Sequence, residues 1–322
     1  MQIFDKGKIY DFMGVRHLFL AISAILFVGS IVLLSTWGLK FGIDFSGGTL
    51  IQVKYDKAAP LDDIRKRLDK AGIEGASVTE FGSNEEVTIR YSSSNESLGS
   101  DVGAGIAEIL DGSGNFEVRK VDVVGPKVGE ELKKSGLMAI IVSLAGILIY
   151  IAVRFEWRFA LAAIASEIHD VIITMGFISL MQIDVNLDTL AAILTVIGYS
   201  LNDTIIVFDR VREGVQESKE NKLTAVINEA VSRTLSRTIL TSLTTLIAVF
   251  VLFFYGGDMI HDFSSIMVVG VVVGTFSSVF IAAQALIWLR FSIEHYRADL
   301  AEKKRLKKEK EKMRAMYEKG IV

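Results

Sequence analysis

The sequence predicts a polytopic α-helical membrane protein, with six transmembrane helices and one small extracytoplasmic α+β domain between the first two. Three observations predict it. Apolar residues make up 51% of the 322 residues and the mean hydropathy is +0.42, too apolar for a chain built around aqueous cores alone. Six apolar runs are each near the length that crosses a hydrocarbon core of ~30 Å. Lys and Arg gather in alternate connections between those runs, the bias that sets orientation in a bilayer.

The first run, 18–37, is long enough to span, and no small-residue cleavage site clearly follows it. It reads as a retained span rather than a signal peptide. Five more runs lie at 137–153, 159–181, 187–208, 239–254 and 263–289. Basic residues mark the N-terminus (Lys6, Lys8, Arg16), the second-to-third connection (Arg154, Arg158) and the fourth-to-fifth (Arg210, Arg212, Lys219, Lys222, Arg233, Arg237). The tail after Arg290 is also strongly basic. The other short connections carry Asp184, Asp258 and Asp262 and no Lys or Arg. Both termini are therefore expected in the cytoplasm. The tail reads first as a solvated helix near anionic lipid.

The segment between the first two spans is then external. Strand character at 49–55, 76–81, 86–91 and 116–124 alternates with helical spacing after Pro60 and over 102–110. A Gly-Ser-Asn turn at 82–84 separates the middle strands, and 92–100 is a polar loop. The order β-α-β-β-α-β is the split βαβ, ferredoxin-like pattern. The expected division is residues 1–39 (N-terminus and first span), 40–134 (external domain), 135–290 (remaining five spans) and 291–322 (basic tail). No chemistry is evident in the external domain, so binding or docking is its default role.

Ionisable groups inside a membrane are costly, at least ~2.5–3.5 kcal/mol at the centre, and point to function. The third span holds Glu167, His169 and Asp170; the fourth holds Asn202 and Asp203; Arg237 stands at the first turn of the fifth. Asp203 lies about five residues before Phe208, the expected cytoplasmic end, so it is ~7–8 Å deep and near the level of Arg237. Thr195, Tyr199, Asn202 and Asp203 share one helical stripe, as do Arg237, Thr241, Thr244 and Thr245. Gly270, Gly274 and Ser277 or Ser278 form a small-residue seam on the sixth. A carboxyl near an arginine is held ionised until movement separates them, which is the physics of a proton-coupled switch. A static ion pair is the plainer alternative. For His169 and Asp170, packing and helix bonding outrank a proton relay or a metal site.

With no cysteine, disulfides and thiolate metal sites are excluded. Ser46-Gly47-Gly48 lacks the lysine that would make a phosphate loop. No nucleophile elbow or His-Glu-x-x-His motif is present, so a membrane hydrolase is disfavoured. No metal or cofactor is expected.

Several longer motifs together resemble the SecD/SecF protein-export family. They are Phe41-Gly-Ile-Asp-Phe-Ser-Gly-Gly-Thr49, Val124-Gly-Pro-Lys-Val-Gly129, Arg154-Phe-Glu-Trp157, His169-Asp-Val171, Ile197-Gly-Tyr-Ser-Leu-Asn-Asp-Thr204, Phe208-Asp-Arg210, Ser236-Arg-Thr238 and Thr241-Ser-Leu-Thr-Thr245. The resemblance implies a non-enzymatic accessory subunit of the Sec translocase in the bacterial inner membrane, with the resistance-nodulation-division transporter fold. It implies SecD as the paired subunit, and YajC, the Sec channel, the translocating polypeptide and the lipid bilayer as partners, with no nucleic acid among them. It implies use of the proton gradient, with Asp203 and Arg237 at the proton-linked positions. Asn202, His169 and Asp170 accompany them as candidates. Gly42, Asp44, Gly47, Gly48, Gly125, Pro126 and Gly129 are read as the motif and hinge residues on which the outer domain would swing. No second six-span repeat is seen, so a partner bundle is expected from another chain. The alternative is another transporter of that superfamily that moves lipids or small molecules.

Overall fold

The computed structural model describes residues 8–73, 75–92, 102–217 and 220–318. Lys6, Lys219 and the polar loop from residue 93 onward lie outside the described residues.

Helix α1 (Arg16–Thr36) is followed by a short α2 (Ile43–Ser46), then β1 (Gly48–Tyr55), α3 (Leu61–Lys70), β2 (Ser77–Phe81), β3 (Ser83–Tyr91), α4 (Val102–Leu110) and β4 (Phe116–Val124). The bundle resumes with α5 (Pro126–Arg154), α6 (Trp157–Leu180), α7 (Leu187–Glu217) and α8 (Leu223–Tyr255). Its last member joins α9 (Asp258–Ser277), a π-helical turn (Ser278–Ala282) and α10 (Ala283–Trp288). A final helix, α11 (Ile293–Glu318), leaves after a turn in which Arg290 has φ 51°. Among the described residues, six helices are long and apolar enough to cross a membrane.

The strands form one sheet in the order β2-β3-β1-β4, with every neighbouring pair antiparallel. That order is what the split βαβ pattern requires, because β3 is inserted between β1 and β2. Alternation on β1 sends Ile51, Val53 and Tyr55 into the domain core, where they meet Ile64 and Leu68 of α3 and Ile106 and Leu110 of α4. Leu50, Gln52 and Lys54 face the other way, as a period of two demands. Leu50 and Gln52, with Thr88 and Arg90 of β3, line a cleft of about 730 Å³ whose far wall is the bundle rim at Phe253 and Met259.

The bundle is packed by aromatic and small residues. Phe159 of α6 meets Phe208 and Phe291 edge-on at 5.2 and 5.1 Å between ring centres. A side chain at Gly270 of α9 would collide with Val196 of α7, and a Cβ at Gly274 would sit 2.8 Å from Ser200 Cβ. The small-residue seam is therefore a close α7–α9 contact, as its spacing suggests. Gly176 likewise lets α6 approach Ser30 of α1.

Three helices extend beyond the apolar runs. Hydropathy marks only the greasy portion, whereas a helix continues wherever its backbone bonds and local ion pairs allow. α5 begins at Pro126, which needs no N–H partner in a first turn. α7 continues to Glu217 through Asp209–Arg212 and Arg210–Glu213 pairs at 2.9 and 2.6 Å. α8 begins at Leu223, and Glu229 pairs with Arg233 at 2.6 Å. Arg237 therefore stands well inside α8, not in its first turn.

Candidate functional site

A polar chain runs through the middle of the bundle, centred on α6. His169 and Asp170 are adjacent and so leave the helix on different sides, which lets them join four helices. Asp170 is fully buried. Its Oδ2 accepts hydrogen bonds from Ser200 Oγ of α7 and Ser277 Oγ of α9, both at 2.6 Å. Its Oδ1 lies 2.9 Å from His169 Nδ1. His169 Nε2 in turn lies 2.6 Å from Ser23 Oγ of α1, and Phe27 stacks on the imidazole at 5.9 Å. Helix bonding is what the sequence led us to expect of this pair. The three serines were not singled out for it, although Ser200 stands one turn before Asp203 and so shares its face.

Asp203 of α7 is 1% exposed, and neither carboxyl oxygen has a hydrogen-bond partner. The groups bearing on it from α8 are Ser242 and, by charge, Arg237. Ser242 makes its own bonds to Thr238 O at 2.8 Å and Thr275 Oγ1 at 2.7 Å. No ion pair joins Asp203 to Arg237, so the static-pair alternative is not what this conformation holds. Helix rotation is the reason: Thr238 and Ser242 occupy the buried face of α8, whereas Arg237 is exposed. The predicted stripes split in the same way. On α7, Ser200, Asp203 and Thr204 are buried, but Thr195 and Asn202 face outward; on α8, Thr244 does so as well. The outward surface of two apolar helices thus carries an arginine, an asparagine and threonines.

The hinge residues form a packed knot. Gly42 N–H donates to Val185 O at 2.8 Å, and Val185 N–H donates to Lys40 O at 2.7 Å. Phe41 and Val185 thereby form a parallel bridge. Asp44 Oδ2 accepts from the backbone N–H of Leu187, at the start of α7, at 3.0 Å. Gly47 (φ 72°) and Gly48 (φ 135°) occupy the left-handed side of conformational space. A Cβ on Gly47 would lie 2.8 Å from Pro126 Cα, and one on Gly129 would lie 2.8 Å from Gly47 N. Gly125 is extended and hands the chain directly to Pro126. In this conformation Gly47, Gly48 and Gly129 provide close backbone contact, Gly125 has open space beside it, and most of 125–134 is helix rather than linker.

One contact between domain and bundle has no local signal in the sequence. Arg90 of β3 forms a two-pronged ion pair with Asp184, in the α6–α7 connection, and Lys40 joins it at 3.2 Å. Burial pushes the Asp184 carboxyl up, but Arg90 and Lys40 outweigh it and hold the group below its ordinary value.

Known proteins share this architecture. A family model described as "Protein export membrane protein SecD/SecF, C-terminal" matches residues 106–292, and one described as "SecD/SecF GG Motif" matches residues 32–59. The Protein translocase subunit SecF of Helicobacter pylori strain 26695 is 43% identical over 323 residues, covering 100% of both chains. The subunit of that name from Vibrio alginolyticus is 43% identical over 307 residues, 94% of this chain and 96% of that one. The crystal structure of SecDF, a translocon-associated membrane protein from Thermus thermophilus, matches with a TM-score of 0.82 at 31% identity, over 89% of this chain. The chain spans only 40% of that protein's length. On the family-model match and the full-length relatives together, the chain belongs to the SecD/SecF family of protein-export membrane proteins.

Proposed function

We propose that the chain works as a SecF-type subunit of the accessory Sec translocase, pairing with a SecD-type bundle to draw exported polypeptide outward with the energy of the proton gradient. It is a transport factor rather than a catalyst. Its membrane is the bacterial inner membrane, with both termini cytoplasmic and residues 40–134 on the outer side. The basic loops and tail support that orientation. YajC and the Sec channel are its further partners.

The observation that carries the coupling is Asp203: a buried carboxyl without a hydrogen-bond donor, within reach of the charge of Arg237 but not paired with it. A carboxylate in that setting is costly, and protonation relieves the cost. One proton crossing ~100 mV releases ~2.3 kcal/mol from the potential alone. That shifts a conformational equilibrium more than tenfold, since ~1.4 kcal/mol is tenfold. The outward polar surface of α7 and α8 supports the SecD pairing, because Arg237, Asn202 and Thr244 would be poorly placed against lipid. The SecDF architecture, in which this chain matches only part of a longer protein, supports it too.

The test is translocation of a secretory precursor into inverted vesicles carrying the Sec channel and SecD, with and without this chain. Faster or more complete translocation with the chain supports the reading. Equal translocation, with altered extrusion of lipids or small molecules instead, overturns it.

A further inference from the structure

Glu167 is a buried ionisable group that plays no part in the proposed coupling at Asp203. It lies on α6 three residues before Asp170, hence on the same face one turn away. It is fully buried, and neither carboxyl oxygen has a hydrogen-bond partner. Ser200 is its neighbour across the interface, but the Ser200 hydroxyl proton already goes to Asp170. Among the described residues, the other ionisable groups buried in the bundle are His169, Asp170 and Asp203. None is a Lys or Arg, and no ion pair reaches Glu167.

The two carboxyls are provided for differently. Asp170 has two hydroxyls and the imidazole edge directed at it, a shell suited to an anion. Glu167 accepts no hydrogen bond and has only the flank of Ser200, whose proton is directed at Asp170. Two like charges a turn apart in an apolar interior disfavour double ionisation, and an unpaired buried carboxylate is costly by itself. We infer that Glu167 and Asp170 form a second proton site in the bundle, sharing one proton that rests on Glu167 and exchanges through Asp170.

The step balances. The O–H bond of the Glu167 carboxyl breaks as one forms on Ser200 Oγ, the Ser200 proton passes to Asp170 Oδ2 at 2.6 Å, and the negative charge moves to Glu167. Asp170 needs no new position for it: a carboxylate has about four lone-pair positions, and the Ser200 proton is already one of the three donors aimed at Asp170. His169 does not compete as the resting place, because a neutral imidazole satisfies both of its contacts, donating at Nδ1 and accepting at Nε2 from Ser23. The inference goes beyond the export reading and needs it only for the direction in which protons travel.

The experiment is infrared difference spectroscopy of the full chain with SecD in lipid nanodiscs, without any gradient, in H2O and D2O. Wild type, Glu167→Gln, Glu167→Asp and Asp203→Asn are compared. Expected is a protonated-carboxyl C=O band at neutral pH that Glu167→Gln abolishes, Glu167→Asp retains at shifted frequency, and Asp203→Asn leaves in place. It should move within minutes in D2O. Glu167→Gln, a neutral isostere, should melt with the wild type. Absence of a Glu167-dependent band overturns the proposal, as does a band that stays unshifted in D2O, which marks a static proton. A large stability loss in Glu167→Gln also overturns it, because the native group would then be charged and paired. No gradient or export is measured, so failure here leaves the export reading standing.

Discussion

Breaking the Arg90–Asp184 contact should free the sheet domain from the bundle. The side chains of this pair are 20% and 24% exposed. That places it between a surface ion pair, worth ~0–1 kcal/mol, and a fully buried one, whose breakage costs ~3–5 kcal/mol. Arg90→Ala should therefore weaken docking by about 1–3 kcal/mol, since it also leaves a half-buried Asp184 with only Lys40. By the tenfold-per-1.4 kcal/mol rule, the undocked population rises about 5- to 150-fold. The absence of cysteine makes the assay clean. Spin labels at Lys66→Cys on α3 and Tyr255→Cys at the end of α8, both exposed, report the distance across the cleft. Arg90→Ala should broaden and lengthen the distribution. The pH dependence has a definite sign. The Asp184 carboxyl is held below its ordinary value of 3.8, so its contribution is complete above that value and is lost as pH falls through the lower one. Wild-type docking should be flat through neutral pH and loosen only in strong acid. An unchanged distribution in Arg90→Ala would refute the reasoning and leave the Gly42–Val185 and Gly47–Gly129 contacts as what holds the domain.

Three further expectations follow from the packing. Gly270→Leu drives a side chain into Val196, so thermal unfolding in detergent should show a loss of about 1–3 kcal/mol, the usual cost of overpacking. Asp170→Leu removes the shared acceptor of Ser200 and Ser277. At roughly 1–3 kcal/mol for each orphaned buried group, it should be the most destabilising single change in the bundle, measured the same way. Asn202→Cys, on the outward polar surface, should crosslink to a cysteine-scanned SecD partner, whereas Ile141→Cys on the exposed apolar face of α5 should not.

The six spans were legible because apolar length and flanking charge are local properties. The ferredoxin-like domain was legible for a related reason: alternation at residues 49–55 and 116–124, and the turn at Gly82, act through neighbours in sequence. Helix ends were less legible. Nothing in an apolar window reports that Leu223 begins α8, so the apolar run alone puts Arg237 at a helix start. Which residues of a polar stripe face inward was also hidden. Asn202 and Asp203 are adjacent in sequence, and only the packing of α8 and α9 on α7 decides that Asp203 is buried while Asn202 is exposed. The Arg90–Asp184 pair joins residues 94 apart in sequence, and no periodicity anticipates it. The glycines around Gly47 and Gly129 were recognised as special, but freedom and close approach both select glycine, and the structure holds close approach.

The most direct test of the account is precursor translocation into inverted vesicles carrying the Sec channel, SecD and either wild type or Asp203→Asn at equal protein level, with the proton gradient present or collapsed. The gradient should stimulate the wild type and leave Asp203→Asn at the uncoupled rate. Equal stimulation of both would contradict the account, making Asp203 a packing residue and moving the proton route elsewhere in the bundle.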